Sequence, residues 1–262
     1  MRKNILRERL REGKPTVGTH IHSTWPGLVE VIGHTGVIDY VEFLAQYSSF
    51  DLTWFDDFAR LTELHNMSSM VKVDQSLENF LAQRAVGSGI QSILFTDVKT
   101  AEGARNCIKA VRPETPDGGG TLGCTMRRDV SYVLECGSAA FVQASKDIVA
   151  AFMIEKKEAV ENLEEILAVE GVDMVQFGPC DYSITLGKPG YGGSPEVKEV
   201  EMYVAKTALK MGVQPRVELH SFDDAKRYLD IGVRHFCIGW DVVTIFNWLK
   251  EHAGQLQDVL KG

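Results

Sequence analysis

Eight short runs of apolar and β-branched residues recur along the chain, and longer helical patterns separate most of them. This alternation is typical of βα units around a parallel sheet. Eight parallel strands can close into a barrel, so the pattern predicts an α/β fold, the (β/α)8 TIM barrel. The predicted strands cover residues 16–21, 40–44, 69–73, 92–96, 150–154, 174–177, 214–219 and 235–238.

The chain length of 262 residues favours one domain, because barrels of this kind need roughly 250 residues. We therefore predict a single barrel domain over residues 1–262. Apolar residues at helical spacing predict a helix over residues 159–169. Residues 112–137 contain two prolines and three consecutive glycines, which predicts a long loop, and we expect it to serve the active site.

Composition excludes several kinds of partner. A net charge of -8 argues against nucleic acid, because nucleic-acid binders need clustered lysine and arginine. The sequence has no apolar stretch of about 18 residues and no signal-peptide pattern, so we expect no membrane partner and a cytoplasmic location. Five cysteines lack any zinc-type spacing and are predicted to be free, buried thiols.

Two carboxylates follow neighbouring predicted strands. Glu155 comes directly after residues 150–154, and Asp181 comes shortly after residues 174–177. Because such positions meet at the mouth of a barrel, the two side chains can converge on one hard cation. Carboxylates with waters or substrate oxygens are ligands that Mg²⁺ and Mn²⁺ accept. From spacing alone, the same residues can instead be helix caps or ion-pairing groups.

Several short motifs make the chain recognisable. They are Met-Ile-Glu at residues 153–155, Gly-Pro-Cys-Asp-Tyr-Ser at 178–183 and Ile-Gly-Trp-Asp at 238–241. With these motifs the chain resembles the HpcH/HpaI aldolase family nearly end to end, a family of metal-dependent class II aldolases in the phosphoenolpyruvate/pyruvate-binding barrel superfamily. The resemblance implies that Glu155 and Asp181 bind Mg²⁺, Mn²⁺ or Co²⁺, and that a 2-oxo acid chelates this metal.

The resemblance also implies a reaction. A cation on the ketone of a 2-oxo acid stabilises an enolate, which attacks an aldehyde, and the reverse reaction cleaves a 4-hydroxy-2-oxo acid. Backbone N–H groups around Gly178, Pro179 and Cys180 are predicted to bind the substrate carboxylate, although the same glycine can simply serve a tight turn. The family further implies a homo-oligomer, a hexamer built from dimers that exchange C-terminal helices.

The chain departs from the family at acid/base positions. Tyr47 stands where the family has a catalytic histidine, and Lys72 stands where it has a pyruvate-binding arginine. Lysine keeps the charge but loses the two-pronged hydrogen bonding of a guanidinium. We expect Lys72 to act in catalysis and substrate binding, or to form an ion pair with Glu42 inside the barrel. Arg127 and Arg128 are either a clamp for a second substrate anion or a solvated pair.

His20 and His22 are the predicted substitutes for the missing histidine. They lie two residues apart at the first strand, so both imidazoles face the same side. Either could shuttle a proton near neutral pH. The alternative is a hydrogen-bonded structural pair.

Three functions remain open on sequence grounds. The first is a carbon-carbon lyase acting on a 2-oxo acid or a 4-hydroxy-2-oxo acid with an altered acid/base set. The second is a citrate-synthase-like condensation or a decarboxylation on the same metal platform. The third is a non-catalytic barrel that binds a 2-oxo acid, although retention of Glu155 and Asp181 argues against complete loss of activity.

Overall fold

Eight parallel strands form a closed barrel in chain order in the computed structural model, which describes residues 3–74 and 78–261. The predicted (β/α)8 fold is confirmed, and every predicted strand is present with ends that differ by at most two residues. The strands are β1 (Thr16–Ile21), β2 (Tyr40–Phe43), β3 (Ser68–Val73), β4 (Ser92–Phe95), β5 (Val149–Ile154), β6 (Met174–Phe177), β7 (Gln214–Leu219) and β8 (His235–Trp240).

Helices surround the barrel. They are α1 (Ile5–Arg11), α2 (Pro26–His34), α3 (Thr53–Leu64), α4 (Glu78–Ser88), α5 (Ala101–Val111), α6 (Ala139–Lys146), α7 (Lys157–Glu161), α8 (Leu163–Leu167), α9 (Pro179–Thr185), α10 (Pro195–Lys210), α11 (Lys226–Leu229) and α12 (Asp241–Lys261). The helix predicted over residues 159–169 is two short helices that meet at Asn162. Across the described residues, no helix is both long and apolar enough to span a membrane.

Two apolar layers hold the barrel. Outward-facing strand residues such as Val71, Phe95 and Phe152 pack against the helices in the main core cluster. Inward-facing residues form a smaller cluster on the barrel axis, which contains Met70 and also Leu6 from α1. The backbone N–H of Leu6 donates to Ser68 Oγ at 2.9 Å, so α1 closes the N-terminal end of the barrel.

The segment 112–137 lies at this same N-terminal end. It is irregular as predicted, with one 3-10 turn (Arg128–Val130), but it connects α5 to α6 and β5 rather than following a strand directly. Arg128 Nη1 donates to Glu63 Oε1 at 3.0 Å, and Arg127 Nη2 donates to Ser88 Oγ at 2.9 Å. The expectation that this loop serves the active site of its own barrel is therefore wrong, and these arginines bind the protein itself.

The cysteine prediction is only partly confirmed. None of the five cysteines, which all lie among the described residues, forms a disulfide, as expected. Cys107 and Cys237 are buried, whereas the other three are exposed. Their exposure follows from position, because Cys124 and Cys136 lie in the irregular segment and Cys180 lies in the first turn of α9.

Candidate active site at the C-terminal end of the barrel

The C-terminal ends of the strands surround a cavity of about 820 Å³. Active sites of TIM barrels lie at this end, because the loops that follow the strands meet there. The cavity is lined by the residues predicted for catalysis, metal binding and binding of the 2-oxo acid, namely His20, His22, Lys72, Glu155, Gly178, Pro179, Cys180 and Asp181. The fold thus brings these residues together, while their individual roles stay predictions.

Glu155 is a buried carboxylate directly after β5, and it is only 3% exposed. The backbone N–H of Asp97 donates to Glu155 Oε1 at 2.9 Å. Asp97 adopts a left-handed backbone with φ 56°, a conformation that costs energy outside glycine and is often found at functional sites. Burial raises the pKa of Glu155, and the charge of Lys72 only partly opposes this rise.

Gly178 leaves room for this carboxylate. A Cβ at residue 178 would lie 2.6 Å from Glu155 Cβ and 2.9 Å from Glu155 Oε2, closer than van der Waals contact allows. A side chain at residue 178 would therefore displace Glu155.

Asp181 lies in the first turn of α9, and its side chain is 44% exposed. Lys156 Nζ lies 2.8 Å from Asp181 Oδ1 and 2.6 Å from Asp97 Oδ1. Burial alone would lower the pKa of Lys156, but the hydrogen bonds to Asp181 and Asp97 raise it above its ordinary value. The ammonium group therefore fixes two carboxylates beside Glu155.

These carboxylates fit a divalent cation chemically. The charges of Asp97 and Asp181 both add to the raised pKa of Glu155, which indicates that negative charge accumulates at one place. Carboxylate oxygens are hard ligands, and Mg²⁺ is commonly bound by one or two of them, with substrate and water completing its shell. Glu155 and Asp181 are thus suitable metal ligands.

A second group of ligand types lies deeper in the barrel. Ligand atoms of His20, Glu42 and Cys237 lie within 4.8 Å of one another. The guanidinium of Arg216, which is fully buried, donates to the Glu42 carboxylate and faces Cys237. A fixed guanidinium competes with a metal ion, so this cluster is an ion-paired core. The predicted ion pair between Glu42 and Lys72 is wrong, because Arg216 reaches Glu42 across the barrel interior.

Lys72 pairs instead with Tyr47. Lys72 Nζ donates to Tyr47 Oη at 2.7 Å, and the lysine is only 6% exposed. Burial alone would lower the pKa of Lys72, but the interaction with Tyr47 and the charge of Glu155 raise it above its ordinary value. Burial raises the pKa of Tyr47, although Lys72 opposes this rise. The cavity therefore holds a lysine cation hydrogen-bonded to a neutral phenol.

His20 and His22 form one wall of the cavity. Both rings contact Trp240, each at a centroid distance of 5.2 Å, and His22 also lies 5.9 Å from the Tyr47 ring. Burial lowers the pKa of His20, and His20 Nε2 lies 3.6 Å from Glu218 Oε1. Among the described residues, the buried Nε2 of His22 and Nε1 of Trp240 have no hydrogen-bond partner.

The predicted carboxylate-binding turn offers fewer backbone N–H donors than expected. The N–H of Gly178 donates to Ile154 O at 3.0 Å within the barrel, and Pro179 has no N–H to donate. The backbone N–H groups left in this turn belong to Cys180 and Asp181. Gly178 and Pro179 therefore contribute shape rather than hydrogen bonds.

Three residues of the site escaped the sequence analysis. Asp97 lies two residues after the end of β4, Lys156 follows Glu155, and Trp240 ends β8 within the motif at residues 238–241. Their positions at strand ends were a usable signal, but each acts through contacts between strands that a single sequence does not reveal.

Comparison with known proteins agrees with this architecture. The chain is 31% identical over 261 residues to the 2-keto-3-deoxy-L-rhamnonate aldolase of Escherichia coli K12, which covers 99% of this chain and 95% of that protein. It superposes on the HpcH/HpaI aldolase from Desulfitobacterium hafniense DCB-2 with a TM-score of 0.85, 23% identity and 97% coverage of both chains. It also superposes on citrate synthase SbnG with a TM-score of 0.84, 22% identity and coverage of 98% and 99%.

The two solved structures are too distant in sequence to indicate more than the fold. The sequence profile of the HpcH/HpaI aldolase/citrate lyase family, however, matches residues 56–247. This match covers most of the barrel and includes Lys72, Glu155 and Asp181. The chain therefore belongs to the HpcH/HpaI aldolase/citrate lyase family.

Proposed function

We propose that this protein is a metal-dependent carbon-carbon lyase, which cleaves a 4-hydroxy-2-oxo acid to a smaller 2-oxo acid and an aldehyde, or runs this reaction in reverse. One observation carries the proposal. The carboxylates of Glu155 and Asp181 lie in one cavity with the buried cation Lys72. This is the donor set needed to hold a 2-oxo acid on a hard cation and to neutralise negative charge on it.

Glu155 and Asp181 would hold Mg²⁺, Mn²⁺ or Co²⁺. When bound, the cation polarises the ketone of the substrate and so acidifies the adjacent carbon. The N–H of Asp97 keeps Glu155 in place, and Lys156 keeps Asp181 in place. This arrangement orients both carboxylates before substrate arrives, which saves reorganisation during the reaction.

Lys72 supplies the second positive charge of the site. Its ammonium group makes a point contact, so it binds one substrate oxygen rather than gripping a carboxylate with two parallel hydrogen bonds. Its hydrogen bond to Tyr47 holds the phenol in the cavity wall. Lys72 therefore binds substrate and also positions Tyr47.

In the proposed reaction, the proton is transferred by a side chain in the cavity wall formed by His20, His22 and Tyr47. His22 offers a buried Nε2 without a protein partner, next to the Tyr47 ring. Because a neutral imidazole can accept a proton near pH 7, His22 is the proposed shuttle. His20 is more deeply buried and faces Glu218, so its proposed role is to stabilise this wall of the cavity.

Exchange of the methyl protons of pyruvate for deuterium tests the proposal without knowledge of the aldehyde. NMR should detect exchange with Mg²⁺, Mn²⁺ or Co²⁺, and Glu155→Ala should abolish it. Glu158→Ala, which removes an exposed carboxylate in α7, is the matched control and should exchange at the parent rate. Lack of exchange with all three metals would instead favour a non-catalytic binding barrel.

We also propose a homo-oligomer. Helix α12 has 21 residues, and none of them is buried against its own barrel in the part of the chain that the structure describes. The helix exposes the apolar side chains of Ile245, Phe246, Trp248, Leu249, Leu256, Val259 and Leu260. An exposed apolar surface of this length needs a partner, and exchange of α12 between subunits of a hexamer would cover it. Light scattering should give the mass of a hexamer, and a monomer at micromolar concentration would refute this proposal.

A further inference from the structure

Glu218 is a carboxylate of the C-terminal cavity that the proposed metal binding and proton transfer do not use. It lies near the end of β7, it lines the cavity, and its side chain is 33% exposed. Its Oε2 accepts a hydrogen bond from Gln176 Nε2 at 3.3 Å, and its Oε1 lies 3.6 Å from His20 Nε2. An ionised carboxylate accepts about four hydrogen bonds, so these contacts leave lone pairs that a ligand can use.

A buried hydrogen-bond network fixes the position of Glu218. Arg216, whose side chain is fully buried, donates from Nη1 to Gln176 Oε1 and from Nε to Tyr40 Oη, the latter at 2.7 Å. Because Gln176 accepts through its oxygen, its amide nitrogen points the other way, towards Glu218. The carboxylate is therefore oriented before any ligand arrives, as a selective binding site requires.

Glu218 contributes net negative charge to the wall of the cavity. Arg216 pairs with Glu42, so this buried cation and this buried anion cancel each other. Burial lowers the pKa of His20, so its imidazole is neutral near pH 7 and supplies no positive charge. The wall at β7 therefore presents a carboxylate beside a neutral ring.

Two cations lie in the outer part of the same cavity. Lys198 comes from α10 and Arg227 from α11, and both residues are exposed. The Arg227 guanidinium lies 4.7 Å from the centre of the Tyr228 ring and 4.0 Å from Asp224. Charges exposed to solvent are screened more strongly than partly buried ones. A two-carbon aldehyde held next to the barrel strands is therefore affected by Glu218 more than by these cations.

The strand order places Glu218 beside the expected position of the aldehyde. Glu155 follows β5, Asp181 follows β6 and Lys72 lies in β3, so the 2-oxo acid would occupy this side of the mouth. The proposed shuttle His22 follows β1, on the other side. The aldehyde must lie near both the enolate carbon and the shuttle. Strands β7 and β8 close the barrel between β6 and β1, so Glu218 borders this space.

We propose that Glu218 is a specificity-determining residue, which favours an uncharged, hydroxylated aldehyde over an aldehyde that carries a carboxylate. This inference rests on the proposed lyase function. In the synthetic direction, a bond forms between the methyl carbon of the 2-oxo acid and the aldehyde carbon, and the aldehyde oxygen takes up the proton that the methyl group has lost. A hydroxyl group donates a hydrogen bond to Glu218, whereas a carboxylate meets a like charge in a partly buried site.

Two aldehydes of equal length test the proposal, namely glycolaldehyde with its hydroxyl group and glyoxylate with its carboxylate. Each reacts with pyruvate and the full-length protein in the presence of the metal that supports methyl-proton exchange, and kcat/KM is measured for the aldehyde. Glu218→Gln keeps the size of the side chain but removes its charge. In this variant, the ratio of kcat/KM for glyoxylate to that for glycolaldehyde should rise about tenfold or more above the parent ratio. The intrinsic reactivities of the aldehydes cancel in this comparison.

Glu199→Gln is the matched control, because it removes an exposed carboxylate of α10 that does not line the cavity, and its ratio should equal that of the parent. Glu218→Gln should retain methyl-proton exchange of pyruvate, which needs no aldehyde and reports a folded site. An unchanged ratio together with normal exchange would overturn the role of Glu218 and leave the proposed function intact. Loss of exchange in Glu218→Gln alone would place Glu218 at the enolate instead. If the parent exchanges no protons, the proposed function fails, and this inference fails with it.

Discussion

The two ends of the barrel carry cavities of similar size but different chemistry. The N-terminal cavity has about 740 Å³, against about 820 Å³ at the C-terminal end. At the N-terminal end, Arg7 makes two hydrogen bonds of 2.6 Å to Asp173, and Arg11 lies 2.6 Å from Asp147. At the C-terminal end, by contrast, Glu155 has a pKa raised by burial and by neighbouring carboxylates.

This difference shows that cavity volume does not identify a site. At the N-terminal end, Arg7 and Arg11 pair with Asp173 and Asp147, and these ion pairs hold the fold rather than a ligand. At the C-terminal end the charges of Asp97 and Asp181 act on the buried carboxylate of Glu155, and the Nε2 of His22 lacks a protein partner among the described residues. Groups that the protein leaves unsatisfied are where a ligand gains binding energy.

The largest expected effect is loss of metal binding at the C-terminal end. Asp181→Ala or Glu155→Ala should weaken Mn²⁺ binding about a thousandfold or more, because even loss of an outer partner of a metal ligand costs roughly ten- to hundredfold. Calorimetric titration measures this affinity. If both variants keep the Mn²⁺ affinity of the parent, the metal binds elsewhere. The proposed chemical difference between the two cavities would then be wrong.

The next effect concerns proton transfer. His22→Asn should lower methyl-proton exchange about a hundredfold, the lower range of general acid/base catalysis, while Mn²⁺ affinity stays nearly intact. His20→Asn and Tyr47→Phe complete the comparison. If Tyr47→Phe shows the large loss and His22→Asn shows none, the phenol carries the proton. A loss of metal affinity in His22→Asn would instead place this histidine among the metal ligands.

At the N-terminal end the expected effect is on stability alone. Arg7→Ala should lower the free energy of unfolding by about 2 to 3 kcal/mol, because it leaves the partly buried Asp173 without its bidentate partner. Urea denaturation measures the change. Methyl-proton exchange by the folded variant should equal that of the parent, and a marked loss of exchange would show that the two ends are coupled.

The smallest expected effect is on substrate affinity. Lys72→Met should raise KM for the 2-oxo acid about tenfold, since one charge-assisted hydrogen bond is worth roughly 1.5 to 3 kcal/mol before the site adjusts. Lys72→Arg should recover part of this loss by restoring the charge. Steady-state kinetics measure this KM. If KM is unchanged in Lys72→Met, Lys72 positions Tyr47 but does not bind substrate.

The sequence predicted the elements that local pattern determines. Each strand is a run of apolar residues, and Glu155 and Asp181 are recognisable from their positions after strands and from the family motifs. The ion pair of Glu42 with Arg216 was missed because these residues are far apart in sequence and meet only across the closed barrel.

The support around the site was missed for a related reason. The role of Asp97 depends on a left-handed backbone conformation, which no local residue pattern predicts. The exposure of Cys124 and Cys136 depends on how one irregular loop folds. Both properties arise from tertiary structure, so composition and spacing alone could not give them.

Closure of the barrel by α1 has a kinetic consequence. Leu6 packs on the barrel axis and removes a path through its N-terminal end. In the described part of the chain, reactants and products must therefore pass through the same mouth. The product that binds deeper cannot leave until the outer one has gone, so we expect ordered release and competition between the inner product and fresh substrate.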